Sequence, residues 1–212
     1  MNFRNLFRRL RNEPEWVVLI GLAFLIGIGG GVFYYYRFYQ HSQQAKRRFT
    51  QVSSLYSRAE QTGNYQRAVG VLENYLREYS DSRYADKGHF FLGRSYYQTG
   101  QYVAAIRQFR RLLEKSPDSL FTESARLYIG YANLQRGEPA QARQALQQVI
   151  TQHQDHPLWV EAQWQLALLE YRQGNRKAAD AALSRLLKTD QDIENYWRNW
   201  ARRLRNRLTA QS

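Results

Sequence analysis

Two histidines and two glutamates in the C-terminal half of the sequence have the spacing closest to that of a chemical site. His153 and His156 lie three residues apart, but Pro157 follows them and predicts a loop with no further ligand nearby. Two histidines alone make a weak metal site. Glu161 and Glu170 lie on one predicted helix, roughly two and a half turns apart. Their carboxylates are therefore too distant to act together on one bond.

Other sequence patterns for catalysis are absent or misplaced. The sequence contains no Ser-His-Asp signature, phosphate-binding loop or metalloprotease helix. The stretch from Gly27 to Val32 is rich in glycine, but it lacks the last glycine of a dinucleotide-binding loop and lies in an uncharged run. None of the 212 residues is cysteine, which excludes disulfides, thiolate nucleophiles and a cysteine-linked lipid on these residues. We therefore predict a non-enzymatic protein without cofactor or metal.

A period of 37 residues governs most of the chain. Glycine, alanine and aspartate each recur four times at this spacing, which indicates a repeat array. In each unit we expect a glycine to end the first helix in a left-handed conformation and a small alanine to let the second helix cross closely. We expect the first three aspartates, in the turns between units, to cap the next helix. The residues are Gly63, Gly100, Gly137 and Gly174; Ala68, Ala105, Ala142 and Ala179; and Asp81, Asp118, Asp155 and Asp192.

The predicted units are antiparallel helix pairs, which must stack because one pair cannot bury its apolar face alone. A last helix over 193–208 places its apolar residues on one stripe and is predicted to cover the final pair. Its stripe consists of Ile193, Trp197, Trp200, Leu204 and Leu208. The predicted pairs are 45–62 with 65–79, 83–99 with 102–115, 120–136 with 139–153, and 158–173 with 176–188.

The second unit resembles the tetratricopeptide repeat. It carries the order Leu-Gly, Tyr, Ala, Phe, Pro at Leu92, Gly93, Tyr96, Ala105, Phe109 and Pro117. The phrasing of residues 75–84 and 91–97 is similar to a bacterial subgroup that includes envelope proteins of the outer-membrane-assembly and Tol-associated type. The resemblance covers residues 49–190 and implies an all-α solenoid that binds proteins through its concave face.

The resemblance also implies which side chains line that face, because the first helix of each pair supplies them. The motif frame points to Phe90, Arg94 and Tyr97; Leu127, Tyr131 and Leu134; and Trp164, Leu168 and Tyr171. We expect the leucines to pack between helices, and this alternative stays open for the others. The predicted partner-binding groove is Phe90, Arg94, Tyr97, Tyr131, Trp164 and Tyr171. Such a groove suits a peptide anchored by a few side chains.

An uncharged run of 21 residues, from Trp16 to Tyr36, precedes the repeats. At about 1.5 Å per residue it is long enough to cross a bilayer, so we predict a transmembrane helix at 16–36. A buried soluble helix and a cleaved signal peptide are the alternatives, but no A-x-A cleavage site follows. Ala23, Gly27 and Gly31 lie four residues apart and form a small-residue ridge for packing against another membrane helix. Ordinary glycine enrichment in membrane helices is the alternative.

Positive charge is concentrated at the ends of the chain. The net charge is +13, and the predicted basic tail (1–15) and polar helical stalk (37–48) flank the uncharged run. The predicted capping segment (191–212) has a basic face for anionic lipid headgroups or an acidic partner. Nucleic-acid binding is not favoured, because the arginines and the aromatic residues of the capping segment form two faces of one helix. The basic residues are Arg198, Arg202, Arg203, Arg205 and Arg207.

These features predict a membrane-anchored scaffold or assembly factor for envelope or membrane proteins. The alternative is a permanent accessory subunit of a large membrane complex, which contacts that complex mainly through its transmembrane helix. Positive charges flank the uncharged run equally, but a short basic tail resists translocation. We therefore predict the bacterial inner membrane with the repeats in the periplasm, and the cytoplasmic orientation as the alternative.

Overall fold

The computed structural model describes residues 15–152, 157–189 and 195–210, without the side chains of residues 15–18, 20, 152 and 195. These residues form nine helices and no strand, which confirms the all-α class. The helices are α1 (Glu15–Thr62), α2 (Gln66–Glu78), α3 (Ala85–Gln98), α4 (Tyr102–Lys115), α5 (Thr122–Gln135), α6 (Pro139–Gln152), α7 (Leu158–Arg172), α8 (Arg176–Lys188) and α9 (Asn195–Ala210).

Two compact units divide the chain between Arg48 and Phe49. In the first unit, α1 runs without interruption through residues 37–48, and its apolar side chains, such as Phe24 and Ile26, are exposed. Among the described residues, no helix combines the length and the apolar character needed to cross a membrane. The transmembrane helix predicted at 16–36 is therefore not confirmed.

The recurring glycines of the second unit end the first helix of each pair, as predicted. All four have positive φ, between +70° and +75°. After α3, the N–H of Gln101 donates to the carbonyl of Tyr96 at 2.8 Å, and the N–H of Gly100 donates to Tyr97 at 3.0 Å. These two bonds form a Schellman motif, whose left-handed residue is adopted most cheaply by glycine.

Small residues let the two helices of a pair approach closely. The recurring alanines Ala68, Ala105, Ala142 and Ala179 are all buried. A Cβ added to Gly93 in α3 would lie 2.6 Å from the ring of Phe109 in α4. The pairs pack against one another in chain order, and α9 packs on α8 and α7. The structure is therefore the predicted stack of helix pairs.

Asp81 and Asp118 do not cap the helices that follow them, so the capping prediction is wrong at these two positions. Helix α3 begins at Ala85, four residues after Asp81, and no side chain caps its N-terminus. Helix α5 also begins without a side-chain cap. The turn before α3 is closed by the backbone instead, because the N–H of Ala85 donates to the carbonyl of Ser82 at 2.9 Å.

Some sequence predictions concern residues outside the described part of the chain. They are the basic tail up to residue 14, the turn residues His153, Asp155 and His156, and the residues Asp192 and Ile193.

Candidate partner-binding face

Two clusters of aromatic side chains lie on the first helices of the pairs and on α9. Tyr128 in α5 lies 5.5 Å from Tyr97 in α3 and 5.8 Å from Tyr131, measured between ring centroids. Trp164 in α7 lies 6.1 Å from Trp197 and 5.8 Å from Trp200, both in α9. We call these residues and Tyr171 the aromatic row, which consists of Tyr97, Tyr128, Tyr131, Trp164, Tyr171, Trp197 and Trp200.

Phe90, a predicted groove residue, is buried and packs against Tyr128 of this row. It is 7% exposed. Its ring stacks on Phe121 with centroids 4.7 Å apart and contacts Phe109 at 6.0 Å. Phe90 therefore packs between helices, which is the alternative that the sequence left open. Of the leucines expected to pack between helices, Leu127 is buried, whereas Leu134 and Leu168 are partly buried.

Tyr128 contacts predicted groove residues, although the motif frame pointed to its neighbour Leu127. Its ring contacts Tyr97 and Tyr131 on one side and stacks on Phe109 at 5.5 Å on the other. The 37-residue period could have indicated this residue, because Tyr128 holds the position equivalent to the aromatic Phe91 of the preceding unit.

Arg94 joins the first helix pair to the second. Its Nη1 donates to Glu60 Oε1 at 2.8 Å, and its side chain is 24% exposed. The guanidinium carbon lies 5.8 Å from the ring centroid of Tyr56 and 5.5 Å from that of Tyr128. Both distances are within cation–π range. Arg94 therefore stabilises the stack and leaves part of its side chain accessible at the row.

The two glutamates considered for catalysis are both engaged in structural contacts. The hydroxyl of Tyr131 donates to Glu161. Burial first, and then this hydrogen bond, raise the pKa of Tyr131. Glu170 accepts hydrogen bonds from Arg143, and from Asn175 at 2.8 Å, and the bond from Arg143 holds the pKa of Glu170 below its usual value. Among the described residues, no cluster of three or more His, Asp or Glu side chains could hold a metal ion.

Besides Arg94, four predicted groove residues are partly buried, namely Tyr97, Tyr131, Trp164 and Tyr171. The last three pack against the apolar core with part of their surface. The predicted basic residues lie on α9. Four of them, Arg202, Arg203, Arg205 and Arg207, are exposed, and Arg198 is partly buried. Arg205 donates to Asp180 in α8 at 2.8 Å.

Two family profiles each match more than half of the sequence. The profile described as a tetratricopeptide repeat-like domain matches residues 12–130, and the one described as outer membrane lipoprotein matches residues 93–202. The chain therefore belongs to the tetratricopeptide repeat-like family, and also to the family described as outer membrane lipoprotein. Neither is described as an enzyme family. No curated protein matches the chain significantly in sequence.

Solved structures of tetratricopeptide-like proteins are similar in fold. The TPR-like repeats designated kinesin light chain from Podospora anserina share 20% identity at a TM-score of 0.62, over 77% of this chain and 86% of that one. The MamA protein shares 17% identity at a TM-score of 0.58, over 78% and 88% of the two chains. At this identity the likeness concerns the fold alone.

Proposed function

We propose that the protein is a membrane-anchored scaffold or assembly factor that binds segments of partner proteins along the aromatic row. The observation that carries this proposal is the partial exposure of Tyr97, Tyr131, Trp164 and Tyr171 on three successive first helices. Rings held on one side by their neighbours lose little entropy when the other side is covered. Half-buried aromatic residues are therefore favourable anchors for a peptide.

The contacts of the row favour a segment that crosses several helix pairs. A ligand spanning Tyr97 to Trp164 would touch α3, α5 and α7 in turn. The aromatic rings suit apolar, aromatic or proline side chains, and the accessible part of Arg94 suits a carbonyl or carboxylate. Each contact alone is weak, so recognition depends on several of them at once.

Photocrosslinking in native membranes, followed by reconstitution, tests this site. A benzophenone amino acid at Tyr171 should crosslink a defined partner, whereas the same residue at exposed Arg110 in α4 should not. With the purified partner, Trp164→Ala is expected to weaken binding by about tenfold or more, as for aromatic hot spots. The exposed residue Val103 provides the control, Val103→Ala. Full affinity of a natively stable Trp164→Ala variant would exclude the row as the contact.

Residues 16–36 are proposed as the membrane anchor. The uncharged sequence supports this, and so does the exposure of the described apolar side chains along α1. The second family description supports an envelope location. A tether at the inner membrane would raise the effective concentration of the row near membrane partners.

The orientation of this anchor is tested with one introduced thiol. In the cysteine-free chain, Ser212→Cys should react with a membrane-impermeant reagent in spheroplasts if the repeats face the periplasm. Labelling that needs a breached inner membrane would instead establish the cytoplasmic orientation.

The basic face of α9 is proposed to contact anionic lipid headgroups. Its exposed residues Arg202 and Arg203 support this, since each cation near an anionic surface contributes about 1 kcal/mol. Reversing both charges should reduce binding to phosphatidylglycerol vesicles, and the effect should shrink at high salt. Equal binding of the variant at low salt would remove lipid contact from the proposal.

A permanent accessory subunit is the second candidate function, and the small-residue ridge favours it. No atom lies within 4 Å of the Cβ positions at Gly27 and Gly31, so this side of α1 is open. A close helix contact there would be blocked by Gly27→Ile with Gly31→Ile. The detergent-solubilised complex should then lose mass, whereas Gly29→Ile, about 200° around the helix from Gly27, should leave it intact. An unchanged complex in the double variant excludes this contact.

A further inference from the structure

A second concave site lies on a different side of the stack from the aromatic row. It is an open cavity of about 700 Å³ between α2 and α4, with α3 as its floor. Helix α3 contributes His89, Leu92 and Tyr96 to its lining. At 3.6 residues per turn, these side chains lie roughly 140° around α3 from Arg94 and Tyr97. The cavity is therefore separate from the proposed partner-binding row.

Positive charge predominates at the rim of this cavity. Lys115 has a loose contact with Asp81, at 3.8 Å, and the side chains of both residues are exposed. Among the described residues, the three arginines of the rim make no ion pair. An occupant with negative charge is therefore favoured. The rim cations are Arg77, Arg107, Arg111 and Lys115, and the rim anions are Glu73 and Glu114.

His89 at the floor has an unused hydrogen-bonding atom. The residue is 4% exposed, and its Nδ1 lies 2.9 Å from Gln108 Oε1. Because that oxygen can only accept, Nδ1 carries the proton, and Nε2 has no partner within the described part of the chain. Burial above all, and then the charges of Lys115 and Arg111, lower the pKa of His89. The ring is therefore neutral near pH 7, and Nε2 needs a donor from an occupant.

The equivalent positions of the next two units show how this site differs along the stack. One period later, Arg126 stands in place of His89 and pairs with Glu123 of its own helix. Two periods later, Gln163 is fully buried, and both of its amide atoms lack partners in the described structure. Gln163 lines a smaller cavity, of about 560 Å³, with Arg185 and Lys188. Of these two cavities, the larger has four cations at its rim and the smaller has two.

We propose that the cavity between α2 and α4 binds an acidic segment of a partner protein. A carboxylate side chain of the segment pairs with Arg107 and Arg111, and a backbone N–H donates to Nε2 of His89. A fully ionised simple anion or a lipid phosphodiester supplies the charge but has no donor for the neutral imidazole. A peptide supplies both groups a few ångströms apart.

Binding of a defined peptide to the full-length protein in mild detergent tests this site. The probe is a fluorescent, amidated hexapeptide of alternating Glu and Asp, and its Gln/Asn counterpart is the control. Anisotropy should show binding of the acidic peptide only. Arg111→Gln is expected to weaken it by about tenfold, as for a charged hydrogen bond.

The role of His89 is separated from stability by changing both partners. His89→Leu with Gln108→Leu should weaken peptide binding by about tenfold while leaving the urea midpoint equal or higher, because both buried polar groups are replaced together. Gln163→Leu makes a similar change at the other cavity and should leave binding unchanged.

Three outcomes overturn the proposal. Binding that survives both the Arg111 and the His89/Gln108 variants excludes this cavity. Displacement of the peptide by equimolar sulfate, which carries charge but no donor, reduces it to a simple anion site. Loss of binding in Trp164→Ala but not in Arg111→Gln assigns the acidic peptide to the aromatic row, and that result leaves the row's own function standing.

Discussion

Gly93→Ala tests the close crossing of α3 and α4 most directly. The added Cβ would lie 2.6 Å from Cε1 of Phe109 and 2.8 Å from its Cδ1 and Cζ. Carbon atoms normally approach to about 3.5–4.0 Å, so the ring or a helix must move by roughly an ångström. Phe109 is fully buried, and its ring stacks on Tyr128, so it has no open space to enter.

The expected change in unfolding free energy is the sum of two opposing effects. Overpacking costs about 1–3 kcal/mol. Replacing glycine by alanine inside a helix returns about 1 kcal/mol. Gly93→Ala should therefore lose about 1 kcal/mol. Gly70→Ala in α2 is the matched control, because nothing lies within 4 Å of its Cβ position. It should gain about 0.5–1 kcal/mol, since only the propensity effect applies.

Urea unfolding of the full-length protein in mild detergent, followed by far-UV circular dichroism, measures both variants. The midpoints should move in opposite directions with unchanged slopes. Adding Phe109→Leu to Gly93→Ala should show a favourable coupling energy, because the smaller side chain relieves the overlap. If Gly93→Ala stabilises the protein as much as Gly70→Ala does, the contact between α3 and α4 accommodates a methyl group and the steric argument is wrong.

Three further predictions concern a turn and the hydrogen bonds of two carboxylates. Gly137→Ala places a side chain at φ +70° and should cost about 1–2 kcal/mol in a thermal melt, with Gly137→Asn less harmful. Glu170→Gln weakens the contact with Arg143 and should cost about 1–3 kcal/mol at neutral pH. Because the pKa of Glu170 is lower in the folded protein, its contribution to stability is present above the unfolded pKa of about 4.5 and is lost on acidification. The urea midpoints of the unchanged protein and of Glu170→Gln, plotted against pH, should therefore converge below that pH. Tyr131→Phe removes the donor to Glu161 and should lower the calorimetric midpoint, by about 1–3 kcal/mol in stability; an unchanged midpoint would mean that water replaces the hydroxyl.

The sequence predicted those features that depend on local backbone demands. Gly100 and Gly137 recur because each must adopt a positive φ at the end of a helix, and the structure places them there. The capping prediction at Asp81 is wrong for a similar local reason. An Asp in a turn is a good N-cap only when the helix begins at the next residue, and here it begins at Ala85.

The candidate site was predicted less well, because its contacts run between units. The 37-residue period is about three residues longer than the usual tetratricopeptide repeat. Phe121 lies in the lengthened turn and covers Phe90. No motif frame contains that residue. The sequence also could not predict that Nε2 of His89 lacks a partner. That depends on the contact of Nδ1 with Gln108, which lies 19 residues away on another helix.

The Schellman turns make each helix pair an exchangeable module. The N–H of Glu138 donates to Asn133 and that of Asn175 to Glu170, both at 2.9 Å, so these two turns close in the same way as the turn after α3. Because each of these three turns is closed by its own backbone atoms, excision or duplication of one whole period between them would preserve the turns on either side. The length of the partner segment that the stack can bind would then change by one repeat unit at a time, while the fold stays the same.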